Sequence, residues 1–167
     1  NGVWLSDGFE NGFGDWTTVL GTPTASAAQR HGGAYSYALD EDTDAIKHTF
    51  TNVYNKVAVI WFYDDATDTD LNAYSFVDDG GNPVGLGVNT YISGDKYVYR
   101  FGSTNEASSV DRTTGWHSFV FDYRSGTGVT LYIDETQVAQ SSDSTLIFHI
   151  TLGDFWAGGD GDVFFDD

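Results

Sequence analysis

The chain has 167 residues, 40% hydrophobic and 16% aromatic, with 25 acidic against 7 basic side chains and a formal net charge of −18. That length suits one domain with a sizeable core, and the apolar fraction is too high for a disordered chain. So few cations argue against a phosphate-backbone or anionic-membrane binder, and the lack of cysteine rules out disulfides and thiolate metal sites.

In chain order, the opening "SDGFENGFGDW" (6–16) sets two carboxylates, Asp7 and Glu10, among glycines and aromatic rings near the first strand. "ASAAQRHG" (25–32) is the one piece with helical character, and it ends at glycine. From there the apolar pattern has period two or runs continuously for a few residues. It predicts strands at "VAVIWFY" (57–63), "AYSFV" (73–77), "KYVYRFG" (96–102), "HSFVFDY" (117–123), "VTLYID" (129–134), "IFHITLG" (147–153) and "DVFFDD" (162–167). Turn residues separate them in "DDGGNP" (78–83), "ISGD" (92–95), "RSGTG" (124–128) and "WAGGDG" (156–161), and "DETQV" (134–138) reads as a turn inside a hairpin. Strands at this spacing predict an all-β antiparallel sandwich or jelly roll. No linker divides 1–167, which reads as a single domain. A start at Asn1 and the absence of Met suggest a mature form or a piece of a larger protein. No signal peptide is visible, and no apolar run is long enough to span a bilayer.

Acidic clusters occur three times in the body of the chain. "DDATDTD" (64–70) has acids at calcium-loop spacing but lacks the glycine and distant glutamate of an EF-hand, so a solvated loop is the simpler reading. "DEDTD" (40–44) is equally ambiguous, and "GGDGD" (158–162) reads as a turn. The four histidines have no ligand spacing; His117 and His149 fall inside strand patterns and read as packed, hydrogen-bonded residues.

The chain ends carry a different signal. Asp7 and Glu10 near the first strand, and Asp166 and Asp167 at the end of the last, would converge if the terminal strands lie close. Converging carboxylates repel unless a cation sits among them, and Ca²⁺ gathers carboxylate and carbonyl oxygens from flexible glycine-rich loops such as "RHGGAY" (30–35). The alternative is that all four are solvated surface charges.

"SDGFENGFGDW", then "RHGGAYS", then a terminal "VFFDD" resembles the outline of carbohydrate-binding modules with a β-jelly-roll, concanavalin-like fold. "SVDRTTGWHSFVFDY" followed by "VTLYIDETQVA" resembles the lectin and laminin-G-like pattern of a "GWH" strand before a "LYIDG" hairpin, with Glu135 standing where glycine is usual. The resemblance implies a structural calcium held by Asp7, Glu10, the Gly33 region and Asp166. It also implies a non-catalytic module that binds polysaccharide, secreted and appended to an extracellular polysaccharide-degrading enzyme.

Such a module needs aromatic rings that core packing does not use, with polar groups beside them. The candidates are Trp156, Tyr63, Tyr74, Tyr97, Tyr99 and Arg100. The competing reading is half-buried packing for each tyrosine, a surface ion pair for Arg100, and core or wall positions for Trp4, Trp16, Trp61 and Trp116. The acidic composition favours a neutral glycan as partner, with no nucleic acid or membrane involved, and the chain reads as a monomer. Two other classes stay open. A small polysaccharide lyase or glycosidase shares this fold, although the Glu-x-Asp-x-x-Glu strand of laminarinase-like enzymes is absent here. An adhesion or spacer module that binds protein would bury the rings instead.

Overall fold

The computed structural model describes residues 5–39, 43–78, 81–155 and 163–167. The strands are β1 (Glu10–Phe13), β2 (Thr17–Leu20), β3 (Thr24–Ser26), β4 (Ser36–Leu39) and β5 (Ala45–Tyr54). The central ones are β6 (Val57–Asp64), β7 (Asn72–Asp78), β8 (Pro83–Asn89), β9 (Lys96–Phe101) and β10 (Thr104–Asp111). They are followed by β11 (Gly115–Asp122), β12 (Val129–Ile133), β13 (Thr136–Ser141), β14 (Leu146–Asp154) and β15 (Val163–Asp166). Two seven-stranded antiparallel sheets result, in the orders β10-β9-β8-β7-β14-β5-β2 and β13-β12-β11-β6-β15-β4-β3. This is the antiparallel β-sandwich that the period-two pattern predicted.

Alternation along β6 shows how the sequence builds the sandwich. Ala58, Ile60 and Phe62 point into the core, while Val57, Val59, Trp61 and Tyr63 face out. Phe62 stacks on Phe119 of β11 at 5.0 Å and meets Phe165 of β15 edge-on at 5.3 Å. The terminal strand β15 lies between β6 and β4, so the chain end is a central strand of the second sheet.

The sequence pattern misses several strands. β10 (TNEASSVD) and β13 (TQVAQS) are edge strands, open to water on one side and therefore polar. β8 (PVGLGVN) is interrupted by two glycines, which read as turn residues along the chain. The helical expectation for 25–32 is wrong: Ala25 and Ser26 belong to β3, and the rest is loop. Pairing of β3 with β4 and a bond from Ser36 Oγ to the Gln29 carbonyl (2.5 Å) hold this segment better than a two-turn helix could. The Asp134–Glu135 turn takes φ of 46° and 68°, the doubly left-handed form of a two-residue hairpin, so Glu135 adopts the conformation that glycine would take there.

The acidic loop after β6 is not wholly solvated. Asp64 is buried and receives both arms of the buried Arg112 guanidinium, Nε to Oδ2 and Nη2 to Oδ1, each at 2.9 Å. Arg112 Nη1 also donates to the Asp68 and Gly94 carbonyls, so one side chain pins two loops. Removing one partner of a buried pair strands the other charge out of water, at a cost of about 3–5 kcal/mol. Urea unfolding of Arg112→Ala is expected to show a loss of that order. A loss below about 1 kcal/mol, the level of an exposed pair, would show that the pin is not needed.

Candidate functional site

Four residues were expected to share an ion at the chain ends, and the structure does bring the ends together. Glu10 Oε1 accepts the amides of Ala34 (2.6 Å) and Tyr35 (3.0 Å). Asp166 Oδ2 accepts those of His31 (2.8 Å) and Gly32 (3.0 Å), and its Oδ1 that of Asp167 (3.0 Å). Loop 31–35 therefore clasps β1 to the end of β15. Gly33 has a φ of 55°, and a Cβ there would fall 2.0 Å from Glu10 Oε1, so only glycine fits. Asp7 belongs to a separate knot: its oxygens accept the Phe9 amide (2.9 Å) and the Trp16 indole N–H (2.8 Å).

The expected calcium donors do not form a shell in this arrangement. The carbonyl of Gly33 points opposite to the Ala34 N–H in a trans peptide, hence away from Glu10. Both Asp7 oxygens are engaged elsewhere, and no three acidic or histidine side chains among the described residues are grouped to hold a metal. Asp7, Asp166 and Asp167 nevertheless line one cavity. A structural Ca²⁺ held at the chain ends would raise the melting temperature from excess chelator to excess Ca²⁺, and an unchanged value would remove that expectation.

Burial is the main cause that raises the Asp166 carboxyl above its ordinary value, assisted by the nearby Asp167 charge and opposed by its three amide bonds. The folded state therefore keeps a proton that the unfolded chain releases. Asp166 costs stability as pH rises through that window, which begins near the ordinary carboxylate value of about 4. Asp166→Asn is expected to gain on the wild type in melting temperature between pH 4 and pH 7. A gap that narrows over this range would contradict the sign.

The second assembly lies on the outer face of the first sheet. In β7, Ala73 and Val77 enter the core, while Tyr74 and Phe76 point outward into a separate cluster with Val98 of β9. Across the ladder, β8 places Gly87 opposite Tyr74 and Gly85 opposite Phe76. A Cβ at Gly85 would fall 2.6 Å from the Phe76 ring, and one at Gly87 2.9 Å from the Tyr74 ring. The two rings lean over the glycines and stack face to face at 4.9 Å, 14° from parallel, and both are buried, Tyr74 at 0% exposure and Phe76 at 8%. The Tyr74 hydroxyl receives Asn89 Nδ2 (3.3 Å) and donates to Asn105 Oδ1 on β10 (3.1 Å). Burial raises its pKa above the ordinary phenol value, so it stays a donor at neutral pH. The Arg100 guanidinium sits 5.8 Å from the Phe76 centroid, and its Nε donates to the Gly102 carbonyl at 2.7 Å. Phe155 packs edge-on against Phe76.

Of the ligand candidates, Tyr74 and Arg100 meet here. Tyr74 and Tyr97 are both at 0% exposure with their pKa raised by burial, so neither offers a face to a ligand. Tyr99 packs against the same core and donates its hydroxyl to Glu106 at 2.6 Å. Alternation put these two on the opposite face of β9 from Arg100. Tyr63 stands on the outer face of the second sheet, between Trp116 and Phe164. Trp156 lies outside the described residues. Trp61 and Trp116 also face outward from the second sheet, half-buried against the clasp loop: His31 stacks on Trp61 at 3.7 Å and meets Trp116 edge-on at 5.7 Å. His117 and His149 are hydrogen-bonded, to Asp134 and the Thr113 carbonyl and to Thr49 respectively. Sequence reasoning missed Phe76, Asn89 and Asn105. The available signal was two aromatics spaced by two in β7 facing two glycines spaced by two in β8.

No protein-family model and no curated protein sequence matches the chain. Solved structures do. The Crh5 transglycosylase in its apo form superposes with a TM-score of 0.63 at 12% identity, over 89% of this chain and 67% of that one. The carbohydrate-binding module CBM66 from Bacillus subtilis gives 0.52 at 15% identity, over 92% of each chain. The chain has a lectin-like jelly-roll fold. The metal-free carbohydrate recognition domain of Emp46p gives 0.52 at 9% identity, over 98% of this chain and 92% of that one. At such identities the likeness concerns the fold alone.

Proposed function

We propose that this jelly roll is a carbohydrate-binding domain. One observation carries the reading: the chain superposes over 92% of each chain on a carbohydrate-binding module, and over 98% of this chain and 92% of that one on a carbohydrate recognition domain. Sugars need an apolar surface for their C–H faces and a few oriented polar groups for their hydroxyls, and a jelly roll has two outer sheet faces on which to present them.

The similar fold of a transglycosylase keeps the enzyme reading worth one measurement.

Calorimetric titration against a panel of neutral and acidic polysaccharides is expected to show retention of at least one, without new reducing ends or unsaturated product. No binding to any glycan on the panel would overturn the proposal.

A further inference from the structure

Strand β6 is eight residues long, and its two ladders differ in length. β11 pairs with all of it, from Val57 to Asp64, whereas β15 pairs only with Trp61, Phe62 and Tyr63. The Tyr123 amide donates to the Lys56 carbonyl, in register with the β11 ladder. Antiparallel pairs that exchange backbone bonds recur at every second residue. Ala58, Ile60 and Phe62 therefore turn their backbone groups to β11, and Val57, Val59, Trp61 and Tyr63 turn theirs to the other side. There Trp61 and Tyr63 meet Asp166 and Phe164 of β15. Among the described residues, no strand meets Val57 and Val59, so the N–H and C=O of each are open to a partner.

The same gap in the second sheet opens into a cavity of about 230 Å³. Val57, Ala58, Val59 and Ile60 line it from β6, Ile147 and Ile150 from β14, and Asp7, Asp166 and Asp167 from the chain ends. An apolar cavity of about 150 Å³ takes a benzene ring, so this one has room for a leucine or phenylalanine side chain. Val57 and Val59 stand on the outer face, 36% and 44% exposed.

We propose that this slot takes an extended segment of a partner polypeptide, which continues the line of β15 with an apolar side chain in the cavity and a basic one at its leading end. Asp166 is opposite Trp61, so Asp167 falls beside Ile60 and the next three positions fall beside Val59, Ala58 and Val57. The first and third exchange backbone bonds with Val59 and Val57. The second faces inward, as Ala58 does, and enters the cavity. The first faces outward, on the face where Asp166 lies opposite Trp61 and Asp167 holds the His31 ring, so a lysine or arginine there meets carboxylates. A second copy of this chain is the poorer occupant. Each copy has a net charge of −18, with seven basic against 25 acidic residues, and would be repelled.

The test uses the full chain and an acetyl-Lys-Leu-Thr-Ser-Ser peptide labelled at its C-terminus, read by fluorescence anisotropy and by amide hydrogen exchange. The peptide is expected to bind at millimolar concentration or below and to slow exchange of the Val57 and Val59 amides. N-methylation of its Lys or Thr nitrogen is expected to weaken binding about fivefold, and of its Leu nitrogen, which points away from β6, to change little. Serine in place of Leu is expected to cost about tenfold, and in place of Lys about threefold. Ala58→Leu, which fills the cavity from within, is expected to remove binding with no fall in melting temperature. No binding at millimolar peptide overturns the proposal. So does binding that N-methylation weakens equally at all three positions or at none. A dimer that the peptide disperses would assign the slot to a second copy, and binding only after removal of residues 1–4 would assign it to the chain itself; either result overturns the partner reading. The glycan titrations above are independent of all these outcomes.

Discussion

The second sheet depends on two carboxylates that capture the backbone of one short loop. Glu10 and Asp166 together accept the amides of His31, Gly32, Ala34 and Tyr35. This clasp joins β1 to the end of β15, which its ladders seat between β4 and β6. It also carries the His31 ring onto Trp61 and against Trp116. Converging negative charge must be compensated, and four peptide N–H groups of the loop contribute to that.

The first sheet is organised by a different constraint, that of space. Glycine at two alternate positions of β8 leaves room for the Tyr74 and Phe76 rings to lean over it as a buried, face-to-face stack. Tyr74 can then reach across β8 and β9 to Asn105, linking β7 to the edge strand β10 through one hydroxyl.

Most of the architecture was legible along the chain. Strands β6, β7, β9, β11, β12, β14 and β15 announce themselves by alternation or by short apolar runs, because burial of one or both faces demands that pattern whatever the neighbours. The meeting of residue 10 with the last strand was legible too, since carboxylates at both ends of a β-sandwich need a common partner. The polar edge strands β10 and β13 were not, since a strand with one side in water carries little apolar signal.

Residue order alone, then, settles fold class, the main strands, the faces of β9 on which Tyr97, Tyr99 and Arg100 fall, and the convergence of the termini. All of these follow from periodicity and charge along one dimension. Cross-strand register settles the rest: Arg112 as the partner of Asp64, and Gly85 and Gly87 beneath the rings. Those relations join residues distant in the chain, and a shift of one residue in any ladder would turn each side chain to the opposite face.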